Sequence, residues 1–167
     1  MMRYRLAVVF LAVGVFLAPV RAEHANIDLR VMHVDNDGNT KEEAQAFADT
    51  DPPLGGLHAR PLFKAKAGEP LVLQFFFTNT YPHGEKKDVV VRYFVVREEK
   101  AGQKAVPDLK NGTVTEGHFT LNFKPQRRVG ARVAFTIPQA GTYLLRVQSE
   151  NTDSDHEHFS AIDLQVK

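Results

Sequence analysis

Asp88-Val89-Val90-Val91-Arg92-Tyr93-Phe94-Val95-Val96-Arg97 decides the fold. Val89, Val91, Tyr93 and Val95 fall on one side of an extended chain and Val90, Phe94 and Val96 on the other. Apolar residues therefore recur at i and i+2, not at the i+3 and i+4 spacing of a helix. β-branched and aromatic side chains fill both faces, which suits a strand in the middle of a sheet. Arg92 interrupts the second face.

The same period of two extends outward in both directions. On the N-terminal side, residues 71–78 place Leu71, Leu73, Phe75 and Phe77 on one face, and Tyr81-Pro82-His83-Gly84 turns the chain. Before them, 62–66 is a short opening strand ended by Gly68 and Pro70. On the C-terminal side a polar connection, 98–111, leads to 113–124, where Phe119, Leu121 and Phe123 alternate. Val133, Phe135 and Ile137 repeat the pattern up to Pro138, as do Tyr143, Leu145 and Val147 in 142–148. Last comes 159–166, with Ile162, Leu164 and Val166 on one face and Asp163 and Gln165 on the other. Short alternating runs separated by Gly, Pro, Asn and Asp predict an all-β fold, a two-sheet antiparallel sandwich of about seven strands.

Two joints carry a resemblance. Ala67-Gly68-Glu69-Pro70 and Ile137-Pro138-Gln139-Ala140-Gly141-Thr142-Tyr143 look like strand joints of bacterial secreted sandwich domains. Over residues 61–167 the chain thus resembles the immunoglobulin-like superfamily in its broad extracellular sense. The resemblance implies a tyrosine corner at Tyr143, its hydroxyl bonding backbone upstream. The paired Cys and core Trp of antibody-type domains are absent, as the chain has neither residue. Sandwiches of this kind host unrelated functions, so the resemblance implies a fold and not an activity.

Residues 1–22 have the form of a signal peptide. Arg3 and Arg5 precede an apolar run from Leu6 to Ala18, and Pro19-Val20-Arg21-Ala22 offers small residues where a signal peptidase reads. The run is shorter than the roughly 20 residues of a membrane span, and no later stretch approaches that length. Cleavage before Glu23 is expected, leaving no integral membrane segment. With no cysteine for a disulfide or a lipid anchor, the expected location is the bacterial periplasm or cell exterior. The chain carries 21 Lys+Arg against 20 Asp+Glu, scattered along its length, which gives no sign of a nucleic-acid partner.

The organisation expected is a signal peptide at 1–22, an N-terminal extension at 23–59 and the sandwich at 60–167. In the extension Ile27, Leu29, Val31 and His33 alternate with Asp28, Arg30 and Met32, which predicts one strand added at a sheet edge. Asn39-Thr40 followed by Glu43 resembles a capping box, predicting a helical turn or two over 44–48. Residues 49–56 read as loop. In the triplet Phe75-Phe76-Phe77 the middle ring faces away from the other two. A wet outer face would expose Phe76 beside Val72, to be covered by a partner or by residues 27–34 or a loop of the same molecule.

Candidate chemistry is sparse. Asp35-Asn36-Asp37-Gly38-Asn39 invites a calcium reading. Aligning Gly38 with the glycine of an EF-hand loop puts His33 and Ala44 where carboxylates are required, so a turn with positive φ at Gly38 or Asn36 is expected instead. Without cysteine, a metal site needs imidazole and carboxylate, which suits zinc or copper. His156 and His158 are two apart and share a side of an extended chain, and sandwich topology brings the His83 loop to the same end. His83, His156 and His158, with Asp155 and Glu157, are the candidate metal ligands. Against that stands the plainer reading of solvated loop residues.

His24 would chelate copper only after an unusual cleavage. His118 should face water, and His33 should be a half-buried structural histidine. No nucleophile elbow, phosphate-cradling loop or dinucleotide fingerprint occurs, and although Ser154 lies beside Asp155 and His156, adjacent residues on an extended chain point apart and sequence neighbours make poor triad partners. The sequence predicts a non-catalytic binding or accessory module for a protein or small ligand. A periplasmic zinc or copper protein is the alternative, and an enzyme a remote one. No cofactor follows beyond that metal.

Overall fold

The computed structural model of the 167-residue chain describes residues 25–48, 60–79, 84–103, 105–150 and 159–167. The described strands are, in chain order, β1 (Ala25–Val34), β2 (Thr40–Ala48), β3 (Leu62–Ala65), β4 (Pro70–Asn79), β5 (Lys86–Glu98), β6 (Thr113–Phe123), β7 (Arg128–Thr136), β8 (Gly141–Glu150) and β9 (Phe159–Val166). They form two sheets, ordered β2-β1-β4-β7 and β3-β9-β8-β5-β6. All pairs are antiparallel except β3 with β9. No described helix is long and apolar enough to cross a membrane.

Alternation explains the layering. Leu71, Leu73, Phe75 and Phe77 of β4 turn inward beside Ile27, Leu29 and Val31 of β1, all at most 1% exposed. Facing them across the core are Val91 and Val95 of β5, Leu145 of β8, and Ile162 and Leu164 of β9. The opposite face of β5 is also apolar because it too is covered. Phe94 and Val96 join Leu144 and Ala161 in a second cluster, on which Leu109 packs from the β5–β6 connection. Tyr143 forms the expected corner, its hydroxyl donating to the Gln139 carbonyl at 2.9 Å.

The N-terminal region departs from expectation in two ways. β1 lies inside the first sheet, between β2 and β4, and not at its edge. Residues 40–48 form the strand that covers its other side, although helical turns are expected over 44–48. Pairing overrides the capping pattern: Ala44 and Ala46 pack toward the core while Gln45 points to the outer face, a period of two. The joining turn is as expected. Gly38 has φ +80°, and Asp35 Oδ1 accepts from the Asp37 and Asn39 amides at 3.0 and 2.8 Å.

Candidate ligand-binding face

The outer face of the first sheet gathers polar side chains that the sequence holds far apart. Asp28 alternates with the inward Ile27 and Leu29, so its carboxylate points outward, yet it is only 6% exposed. Donors from two other strands and its own surround it. Arg30 reaches Oδ1 through Nε at 3.3 Å and Oδ2 through Nη2 at 3.0 Å. Gln45 of β2 donates to Oδ1 at 2.7 Å, and Arg128 of β7 to Oδ2 at 2.9 Å. Burial acts to raise the Asp28 carboxyl. The hydrogen bonds from Arg30 and Gln45 and the charges of Arg30 and Arg128 outweigh it and hold the group below its ordinary value.

Phe76 is therefore not the bare patch expected: it is half-buried, and a side chain of β7 lies over its ring. The Arg128 guanidinium lies 3.8 Å from its ring centroid, a cation–π contact. The ring also lies over Gly130 of β7, where an added Cβ would come within 2.6 Å of Phe76 Cδ1. Asp28, Phe76 and Gly130 are register partners across β1, β4 and β7.

The adjacent row is Gln45, Arg30, Gln74 and Arg132, register partners drawn from β2, β1, β4 and β7 in turn. All four carry planar N–H-bearing heads on the outer side. At about 4.8 Å between strands the row is roughly 14 Å long. Gln45 and Arg132 are exposed, and Arg30 and Gln74 half-buried. Arg132 Nη2 donates to Thr40 Oγ1 at 2.9 Å. It borders a shallow depression of about 530 Å³, which is also lined by Val34, Val72, Ala134 and Gly38.

A second charged cluster lies on the outer face of the other sheet, under the β5–β6 connection. Arg60 Nη2 is 3.0 Å from Glu98 Oε2 and its Nε 2.6 Å from Asp163 Oδ1. The Gly102 amide donates to Asp163 Oδ2 at 2.7 Å, tying the connection to the sheet. The Glu98 side chain has no exposed surface. Burial pushes its carboxyl up to about 7. The Arg60 charge opposes the shift, while the charge of Asp163 and a hydrogen bond with it add to it.

The metal candidates His83, Asp155, His156, Glu157 and His158 lie outside the described residues, as does His24. The strand ends that flank them are described. β4 ends at Asn79, whose amide donates to the Arg127 carbonyl, β5 opens at Lys86 opposite Phe123, and Gln148 near the end of β8 pairs with Phe159. Because Glu150 pairs with Val90 of β5, these ends share one end of the sandwich. Among the described residues no group of three or more His, Cys, Asp or Glu is placed to hold a metal ion.

His33 is half-buried as expected, with Nδ1 2.7 Å from Glu69 Oε1 and its ring centroid 4.6 Å from that of Phe63. His118 is exposed, also as expected. The outer-face cluster was visible in sequence only as parity: Asp28 and Arg30 oppose Ile27 and Leu29, and Arg128 and Arg132 oppose Val129, Ala131 and Val133. Which strands lie side by side is what joins them.

No protein-family model matches the chain, and no curated protein does. Among solved structures it is similar to the C-terminal domain of wzt, at 10% identity and TM-score 0.47 over 87% of this chain and 74% of that one. It is also similar to the PmoD soluble domain from Methylocystis sp., at 12% identity and TM-score 0.44 over 83% and 90%. A third is the CARDB domain of a protein from Pyrococcus furiosus, at 11% identity and TM-score 0.42 over 86% and 96%. Likeness at this level carries no functional argument, and the sandwich stands on its own strand pairing.

Proposed function

We propose that the chain is an exported, non-catalytic binding module of the bacterial periplasm or cell exterior, and that it takes an anionic partner on the outer face of its first sheet. One observation carries this reading. The nearly buried Asp28 fixes the guanidiniums of Arg30 and Arg128 through hydrogen bonds of 2.9 to 3.3 Å, so these heads need little further ordering to bind. Guanidinium forks match carboxylates and sulfates in shape as well as charge. Export is supported by Arg3, Arg5 and the apolar run after them.

The test is equilibrium binding of the chain from Glu23 onward to dextran sulfate, polygalacturonate, poly-L-glutamate and unmodified dextran. Binding to an anionic polymer that weakens with salt, and is lost in an Arg128→Ala/Arg132→Ala variant, is the expected result. Binding to neutral dextran alone, or to none of the four, overturns it.

A second reading is a zinc or copper site built from His83, His156 and His158. It is favoured by the shared position of the strand ends that flank them. Elemental analysis of the purified protein after incubation with each metal and desalting tests it: stoichiometric retention supports the site, and none removes it.

A further inference from the structure

We infer that the four-strand row Gln45, Arg30, Gln74 and Arg132 is the track of an extended, carboxylate-bearing glycan. The inference rests on the reading of this face as an anion-binding one and gives the partner a chemical class.

Three features separate a glycan from the other extended anion, an acidic peptide. The first is where the donors stand. A peptide that binds in extended form takes most of its affinity from main-chain hydrogen bonds at a free sheet edge. The row runs across the sheet, and the backbones of β1 and β4 at its centre are paired on both sides. Only side-chain heads are presented there, and a ligand must be held through groups of its own that face the sheet.

The second is the alternation of those heads. From β2 to β7 the row reads amide, guanidinium, amide, guanidinium. Each amide offers a donor and an acceptor, as a sugar hydroxyl does; Arg30 already gives Nε and Nη2 to Asp28, so the carboxylate is met by the exposed Arg132, which gives Nη2 to Thr40 Oγ1 and has further N–H groups in its fork. The spacing between strands is about 4.8 Å, close to the length of one pyranose ring, so successive rings would meet successive heads.

The third is the floor beside the row. Val72 and Ala134, register partners on β4 and β7, line the depression that Arg132 borders. An apolar floor next to a cation suits the C–H face of a sugar ring whose carboxylate reaches the guanidinium. Arg132 and Gln74 thus recognise the ligand directly. Asp28 does not touch it and is a positioning residue for Arg30.

The experiment compares three probes on the chain from Glu23 onward: oligogalacturonate, the same oligomer fully methyl-esterified, and poly-L-glutamate of equal charge. Oligogalacturonate is expected to bind about tenfold or more tightly than either of the others, because only it offers carboxylates and hydroxyls together. Gln74→Ala and Arg132→Ala, both on the outer face and away from the core, should each weaken it several-fold with the melting temperature unchanged.

If poly-L-glutamate binds as tightly and the same substitutions weaken it, the glycan assignment fails while the anion-binding face stands. Should no anionic probe bind, both fail. Equal binding of the methyl ester overturns the role of the guanidiniums, and binding indifferent to both substitutions overturns the track.

Discussion

Glu98 is a carboxyl with no exposed side-chain surface and a value raised from 4.5 to about 7. A carboxyl raised in the folded state favours folding while it stays protonated. Its contribution is fully present below about 4.5 and is lost as pH rises through about 7. The melting temperature should therefore fall between pH 5 and pH 8, and Glu98→Gln, which keeps the shape without the proton equilibrium, should flatten that fall. A slope identical in wild type and variant would place the titration elsewhere. None of this is legible in sequence, where Glu98 closes an apolar run and reads as the first residue of a polar connection. The charged groups it meets there, Arg60 and Asp163, lie 38 and 65 positions away in the chain and reach it only through the packing of the second sheet. His33 is the contrary case, since its parity with Ile27 and Leu29 alone makes its half-burial readable.

β1 and β7 show what strand periodicity reveals and what it hides. Alternation gives each its inner face, Ile27, Leu29 and Val31 in one and Val129, Ala131 and Val133 in the other. Neighbours in the sheet are set by pairing between distant segments, which a period of two does not encode. That is why β1 reads as an edge strand and 44–48 as helical turns: the sequence of β2 is rich in helix-favouring Ala, Glu, Lys and Gln, and tertiary pairing decides against that preference. It is also why the four-strand row stays hidden although each member's parity is plain. Gly130 marks the place where β7 must stay bare. An alanine there would bring Cβ to 2.6 Å from Phe76 Cδ1 and 3.0 Å from the Phe75 carbonyl oxygen, which is backbone and cannot swing aside. Gly130→Ala is expected to cost about 1–3 kcal/mol by overpacking and to dislodge Arg128 from the ring. An unchanged denaturation midpoint would show that β4 and β7 are not in this register.

As a whole the molecule is two sheets closed on one apolar layer, and this much is legible in the alternating runs from Leu71 to Val166. Phe135 belongs to the first sheet and Leu145 to the second, and both lie in the shared core. Truncating either to alanine should cost about 2–5 kcal/mol through lost burial and the cavity left, a large part of a domain's total stability. Loss from only one of the two variants would mean that the sheets do not share that core. The proposed binding face is a different matter, because the core fixes which side chains point outward but not what they meet. The central claim is that the outer face of the β2-β1-β4-β7 sheet is the binding surface. An amide ¹H–¹⁵N NMR titration of the isotope-labelled chain with oligogalacturonate tests it most directly. Shifts should concentrate around Arg30, Gln45, Gln74 and Arg132 and leave the second sheet unmoved. Shifts confined to the second sheet or to the strand ends near Asn79 and Phe159, or no shifts at all, would contradict it.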